Sequence, residues 1–213
     1  MIKANRKKII LTSFITVLPL LAGLILWSRL PDTIATHFGP DGQADGWSSK
    51  PFAVFFIPLF MLGIHLLCIF VTSADPKRRN IGNKALGLVF WIAPLVSLLV
   101  GSLTYAIALG MKPDVNLFVT LVIGLMFIVL GNYLPKCRQN YTVGIKIPWT
   151  LNDPENWNRT HRFAGKLWIV GGVLLMLGAF LNTIWVPITV ICVTVFVPII
   201  YSYVFYRRSQ SEQ

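Results

Sequence analysis

Long apolar runs separated by short polar segments dominate the chain. Uncharged runs extend over residues 9–28, 51–74, 85–111, 115–135 and 167–206. Because about 20 apolar residues let a helix cross the hydrocarbon core of a bilayer, each of the first four runs predicts one membrane span. The last run would form a helix of about 60 Å, roughly twice the core thickness, so it predicts two spans joined by a turn.

The turn inside the last run is predicted at Asn182 and Thr183, shortly before Pro187. The chain is therefore expected to be an all-α, polytopic membrane protein with six transmembrane helices. The first run has a basic start but no clear small-residue cleavage site, and further spans follow it. It is expected to be a retained signal anchor rather than a cleaved signal peptide.

The distribution of charge predicts the orientation. Charged residues make up 13% of the chain, about half the share in soluble domains. With the N-terminus inside, all of the 19 Lys and Arg residues fall on the cytoplasmic side except Arg29, Lys50 and Lys112. The positive-inside rule therefore predicts that both the N- and C-termini are cytoplasmic. Anionic lipid at that face accounts for the net charge of +11, so we expect a lipid bilayer partner and no direct nucleic-acid binding.

The predicted outer segment, residues 30–50, is rich in turn dipeptides such as Asp41-Gly42 and Asp45-Gly46. We expect a folded surface loop that caps the helices. Its candidate contact residues are His37, Asp41, Asp45, Trp47 and Lys50. Asp32, His37, Asp41 and Asp45 could also bind a hard cation, but their spacing does not match a full EF-hand loop. A loop without metal is favoured, and the cation alternative stays open.

The predicted inner loop, residues 135–166, is unusually long for so short a chain, which is typical of a functional segment. Asn152 or Asp153 is expected to cap a helix that has Pro154 in its first turn and continues into the fifth span. This helix would place Trp157, His161 and Trp168 on one stripe, with its aromatic rings at headgroup depth. His161 is expected to form structural hydrogen bonds rather than act in catalysis. The basic turn over residues 76–84 is expected to serve only topology and lipid contact.

The inner loop resembles the signature of the SdpI-type immunity protein family. That signature is an ordered series of unusual residues rather than one short motif. The matching positions are Asn132, Asn140, Gly144, Lys146, Pro148, Trp149, Thr150, Leu151, Trp157, Thr160, His161 and Gly165. Lys146-Ile147 stands where Arg-Thr is common, which keeps the charge but loses the two-pronged grip of a guanidinium.

The outer segment resembles the short domain of unknown function that often precedes this signature. Its hallmarks here include Ile34, His37-Phe38, Asp45, Trp47 and Ser49-Lys50. The two resemblances divide the chain into an N-terminal two-span unit, residues 1–74, and a four-span unit, residues 75–213.

The resemblance implies a bacterial plasma-membrane protein that gives immunity to a secreted antimicrobial peptide toxin. It also implies a receptor role, in which the protein holds a cytoplasmic autorepressor at the membrane. The outer loop would then meet the toxin and the inner loop the repressor. No catalytic residue, metal or cofactor is expected. The alternatives are a signalling receptor without protective action, and a small transporter or membrane enzyme. The last is disfavoured because no span interior holds Asp, Glu, Lys or Arg, and His65 is the ionisable candidate that remains.

Overall fold

The computed structural model describes residues 1–181 and 183–211. Across these residues the chain forms α-helices and one β-hairpin. The elements in chain order are α1 (Arg6–Ile25), β1 (Thr33–Phe38), β2 (Ala44–Ser49), a π-helical turn (Phe52–Phe56), α2 (Ile57–Ala74), α3 (Asn83–Ala108), α4 (Val115–Tyr133), α5 (Pro148–Asn152), α6 (Pro154–Gly178) and α7 (Trp185–Ser211). Short 3₁₀ turns stand at Lys3–Asn5, Arg78–Asn80, Leu134–Lys136 and Ala179–Leu181.

Six helices among the described residues are long and apolar enough to cross a membrane. They correspond to α1, α2, α3, α4, α6 and α7, each with its adjoining turn. The predicted class, a six-span helical membrane protein, is confirmed. The cytoplasmic placement of both termini stays a prediction from the charge distribution.

The last apolar run is divided in two, as its length required. Helix α6 ends at Gly178, a 3₁₀ turn extends to Leu181, and α7 begins at Trp185. The predicted turn residue Thr183 lies in this break, whereas Asn182 lies outside the described residues. Helix α6 also begins where it was predicted to begin. The side chain of Asp153 accepts a hydrogen bond from the Glu155 N–H, and Pro154 occupies the first turn.

Packing groups the helices into two compact units. The first unit contains residues 1–74 and 86–115, and the second contains residues 75–85 and the chain from residue 116 onward. Helix α3 thus packs mainly in the first unit. The division of the sequence after residue 74 rests on the resemblance alone and stays a prediction.

The hairpin is anchored in the core of the first unit. Ile34 on β1 is buried with Leu30, Val54 and Tyr105. The two strands pair antiparallel, from Thr33 opposite Ser49 to Phe38 opposite Ala44, with irregular register near His37. The sequence predicted an ordered loop here but not its strands. Tertiary packing has overridden the weak strand propensity of a segment rich in Gly, Ser and Asp.

Glycines allow α4 and α6 of the second unit to approach backbone to backbone. A Cβ atom on Gly172 would lie 2.5 Å from the carbonyl oxygen of Gly124, and one on Gly165 would lie 2.7 Å from that of Gly131. Each pair is separated from the other by two helical turns on both helices. Small residues of this kind let membrane helices gain van der Waals contact where lipid gives no hydrophobic drive.

Candidate functional site

The candidate site is the segment that links α4 to α6, residues 137–153, which we call the signature loop. Asn140 organises its first half and is almost fully buried. The amide oxygen of Asn140 accepts from the N–H groups of Thr142 and Val143, and its NH₂ donates to the carbonyls of Arg138 and Val143. One side chain therefore supplies the hydrogen bonds that regular secondary structure would otherwise give to the backbone of this turn.

Gln139 holds the short helix α5 against the rest of the loop. Its NH₂ donates to the carbonyls of Thr150 and Leu151, at 3.0 and 2.8 Å. Carbonyls at a helix end lack hydrogen-bond partners within the helix, so a side-chain donor can satisfy them. The side-chain oxygen of Gln139 accepts from the Lys77 ammonium at 2.7 Å, and its backbone carbonyl accepts from Asn80 at 2.7 Å.

These contacts correct one expectation. The basic turn over residues 76–84 was expected to serve only topology and lipid contact. Instead, Lys77 and Asn80 hold Gln139, and the Lys77 ammonium also lies 5.3 Å from the ring centre of Tyr141. The turn is therefore part of the structural support of the signature loop.

Asp75 is a further residue of this support that sequence reasoning missed. It directly follows α2 and is 3% exposed. Its Oδ2 accepts from the Tyr141 N–H at 2.9 Å and from the Thr142 hydroxyl at 2.7 Å, while Oδ1 accepts from the Lys77 N–H at 2.7 Å. A buried carboxylate is stable only when such donors replace its hydration. The available sequence signal was a lone acidic residue placed before a proline in a basic turn.

Trp157 and His161 on α6 form the floor beneath the loop. Both are buried, and their rings stack with centroids 4.0 Å apart. The Trp157 indole N–H donates to the Cys137 carbonyl at 2.8 Å. The prediction that they share a stripe is confirmed, and the loop covers the Trp157 ring completely. The headgroup depth of the aromatic rings stays a prediction.

Two backbone partners fix the tautomer of His161. Nε2 must accept because it faces the Ile145 N–H at 2.9 Å. Nδ1 must donate because it faces the Trp157 carbonyl at 2.7 Å. A backbone N–H only donates and a carbonyl only accepts, so the ring is neutral with its proton on Nδ1. This arrangement agrees with the predicted hydrogen-bonding role of His161.

Gly144 allows the loop backbone to pack closely against the rings of Trp157 and His161. Its φ is +120°, in a region that side-chain-bearing residues rarely adopt. A Cβ atom there would overlap Nε2 of His161 and approach the Trp157 ring. Glycine is thus required at this position both by backbone conformation and by space.

The second half of the loop is fixed by Thr150, which is fully buried. Its hydroxyl accepts from the Ile147 N–H and has the carbonyls of Ile145 and Ile147 as acceptors. Lys146, in contrast, is exposed and donates to the Thr142 carbonyl at 2.8 Å. Its ammonium is held in place while remaining accessible.

Other signature residues bind α7 or lie apart. Trp149, behind Pro148 at the start of α5, packs its ring 5.4 Å from Tyr203 and 6.1 Å from Tyr206 on α7. Thr160 donates to Asn156, which in turn bonds Ser202 of α7, and this trio is fully buried. Asn132 is exposed near the end of α4 and accepts from Lys136, so it is outside the network.

The hairpin carries the other candidate residues. His37 and Asp45 form a hydrogen bond with exposed side chains, and the Asp41 carboxylate accepts from the Gln43 N–H at 3.0 Å. Trp47 is 61% exposed. Lys50 forms an ion pair with Asp32 at 3.2 Å and lies over the Trp27 ring. Within the described residues no three His, Cys, Asp or Glu side chains are grouped as metal ligands would be.

Sequence comparison shows which known proteins the chain resembles. Residues 136–202 match the SdpI/YfhL protein family, and residues 14–62 match a domain of unknown function, DUF1648. The chain is 29% identical to Immunity protein SdpI of Bacillus subtilis over 206 residues, which cover 95% of this chain and 97% of the relative. No solved structure matches the chain.

Proposed function

We propose that this chain, which is similar to the SdpI/YfhL protein family and to Immunity protein SdpI, is an immunity protein that protects its cell against a secreted antimicrobial peptide toxin. It is a multi-pass protein of the bacterial membrane. The observation that carries the proposal is the match over nearly the full length of Immunity protein SdpI. Most of the signature positions lie in one hydrogen-bonded loop or directly beneath it, which supports the proposal.

The hairpin is the proposed toxin contact. The predicted orientation puts it outside the cell, where a secreted peptide arrives. Trp47 stands on β2 with 61% of its surface exposed, and exposed tryptophans are frequent energetic centres of protein interfaces. Asp41 and Asp45 add exposed carboxylates for a cationic peptide, while Ile34 fixes the hairpin from below.

Expression in a toxin-sensitive cell tests the immunity role and the contact together. Cells with the wild-type protein should survive a cognate peptide toxin and keep their membrane potential. Trp47→Ala should weaken protection about 30-fold, measured as the inhibitory toxin concentration, because truncating a tryptophan at the energetic centre of an interface costs about 2 kcal/mol or more.

Trp185→Ala is the matched control, since Trp185 is 71% exposed at the start of α7 and belongs to no candidate site. It should protect like wild type at equal membrane abundance. Equal survival of cells with and without the wild-type protein, across several toxins, would refute the immunity role. Wild-type protection by Trp47→Ala would refute only the contact.

A second proposed role is retention of a cytoplasmic repressor at the signature loop. The exposed Lys146 favours it, because its ammonium is positioned by the Thr142 carbonyl and still has free N–H donors. An acidic surface of a repressor would complement this charge.

Lys146→Ala should reduce membrane recruitment of a tagged repressor several-fold, as a rim charge in an interface does, without loss of folded protein. Cell fractionation measures the recruited share. Lys112→Ala is the control, because Lys112 lies in a short polar turn between α3 and α4. Equal recruitment by both variants would exclude Lys146 from the repressor contact.

A further inference from the structure

An open groove of about 570 Å³ lies between α5 and the last turns of α7. Three aromatic rings and three polar side chains form most of its wall. They are Trp149, Tyr203, Tyr206, Asn152, Asp153 and Ser209. No Lys or Arg belongs to this lining.

The chemistry of the wall favours a cation. Aromatic faces attract positive charge, and the Asp153 carboxylate adds a full negative charge beside them. Asp153 uses Oδ1 to accept from the Glu155 N–H, and Oδ2 has no hydrogen-bond partner among the described residues. Arg159 is engaged with the Glu155 carboxylate and the Phe205 ring, so it does not supply the cation itself.

The length of α7 leads us to expect the groove at the depth of lipid headgroups. Helix α7 has 27 residues, which corresponds to about 40 Å and exceeds a hydrocarbon core of about 30 Å. Its polar end, which begins after Tyr206, is the part that extends beyond the core. Tyrosine and tryptophan are the side chains enriched at this depth.

We propose that this groove binds the ammonium headgroup of phosphatidylethanolamine. A primary ammonium has three N–H donors. The carboxylate of Asp153, the side-chain carbonyl of Asn152 and the hydroxyl of Ser209 offer acceptors for them. A choline headgroup has no N–H donor, and a glycerol headgroup has no cation, so both fit this wall less well.

Trp149, which lines the groove, has one polar atom without a partner. Its indole N–H is buried and has no hydrogen-bond partner in the part of the chain that the structure describes. A buried donor without an acceptor costs free energy. The phosphate and ester oxygens of a phospholipid are acceptors that arrive together with the ammonium group.

Native mass spectrometry of the full chain in detergent tests the proposal, with ethanolamine, choline and glycerol phospholipids of identical acyl chains. We expect the ethanolamine lipid to be retained about 5-fold above the other two, because only its headgroup combines a cation with N–H donors for the carboxylate. Asp153→Asn should remove this preference while the asparagine still caps α6. Tyr206→Leu should reduce it as well.

Tyr201→Leu is the matched control, since Tyr201 stacks on Phe163 and is not part of the groove. It should keep the ethanolamine preference. Equal retention of the three lipids, or an unchanged preference in Asp153→Asn, would overturn the proposal. So would a protein lysine that crosslinks to Asp153 in cells, because the occupant would then be a protein. If Tyr206→Leu fails to fold, the Asp153→Asn result decides.

Discussion

Replacing Gly144 with valine is expected to open the signature loop and abolish protection. The substitution meets two obstacles at once. The φ of +120° is strained for any side-chain-bearing residue, and the new Cβ atom would overlap Nε2 of His161. His161 cannot move away without losing its bonds to Ile145 and Trp157. We expect a loss of about 3 kcal/mol or more in loop stability, from backbone strain and overpacking together.

Cys137 provides the measurement. It is the first residue of the loop and is buried, and its burial raises the pKa of the thiol, so the reactive thiolate is scarce while the loop is closed. In a background where Ser replaces the exposed Cys68 and Cys192, alkylation reports on Cys137 alone. Gly144→Val should accelerate this alkylation more than 10-fold, because a destabilisation of 3 kcal/mol raises the open population by about two orders of magnitude.

Gly82→Val is the control for Gly144→Val. Gly82 also lies in a polar connection of the second unit, but a Cβ atom there meets nothing within 4 Å. Its Cys137 should be alkylated at the wild-type rate, and the variant should protect cells like wild type. If Cys137 in Gly144→Val is alkylated at the wild-type rate, the substitution has not opened the loop. If it is alkylated faster while protection persists, the closed loop is not needed for function.

The membrane spans could be predicted from the sequence because a chain segment inside a bilayer has few alternatives to a helix. A long uncharged run must satisfy its backbone internally, and its length decides how often it crosses. The start of α6 was equally predictable, since Asp153, Pro154 and Glu155 together form a local cap signal. Each of these predictions depended on residues close together in the chain.

The support of the signature loop could not be predicted in this way. Asp75 and Tyr141 are 66 positions apart, and no periodic pattern connects them. The hairpin was missed for a related reason, because Ile34 holds it through contacts with α3 and the start of the second span. The burial of Trp157 likewise depends on a loop that folds over it. The resemblance pointed to individual loop positions, and the structure shows which of them are in contact.

Asp75→Asn is expected to release the loop from the turn that follows α2. The aspartate satisfies three donors with two oxygens, and two of these donors are the backbone N–H groups of Lys77 and Tyr141. Asparagine has one oxygen and one NH₂ group. Whichever way its amide is turned, a backbone N–H faces the NH₂ and loses its acceptor. Leaving such a buried group unpaired, and losing a charged acceptor, costs about 2–4 kcal/mol.

The expected result is a lower thermal unfolding temperature, faster alkylation of Cys137 and weaker recruitment of the repressor. Asp32→Asn is the control, because the Asp32 side chain is fully exposed and its ion pair with Lys50 contributes little to stability. A double-mutant cycle with Thr142→Val separates the loop contact from general damage. Since the Thr142 hydroxyl bonds Oδ2 of Asp75 at 2.7 Å, the two changes should couple by about 1 kcal/mol. Additive effects would mean that Asp75 stabilises the protein without holding the loop, and would refute its proposed role in positioning the signature residues.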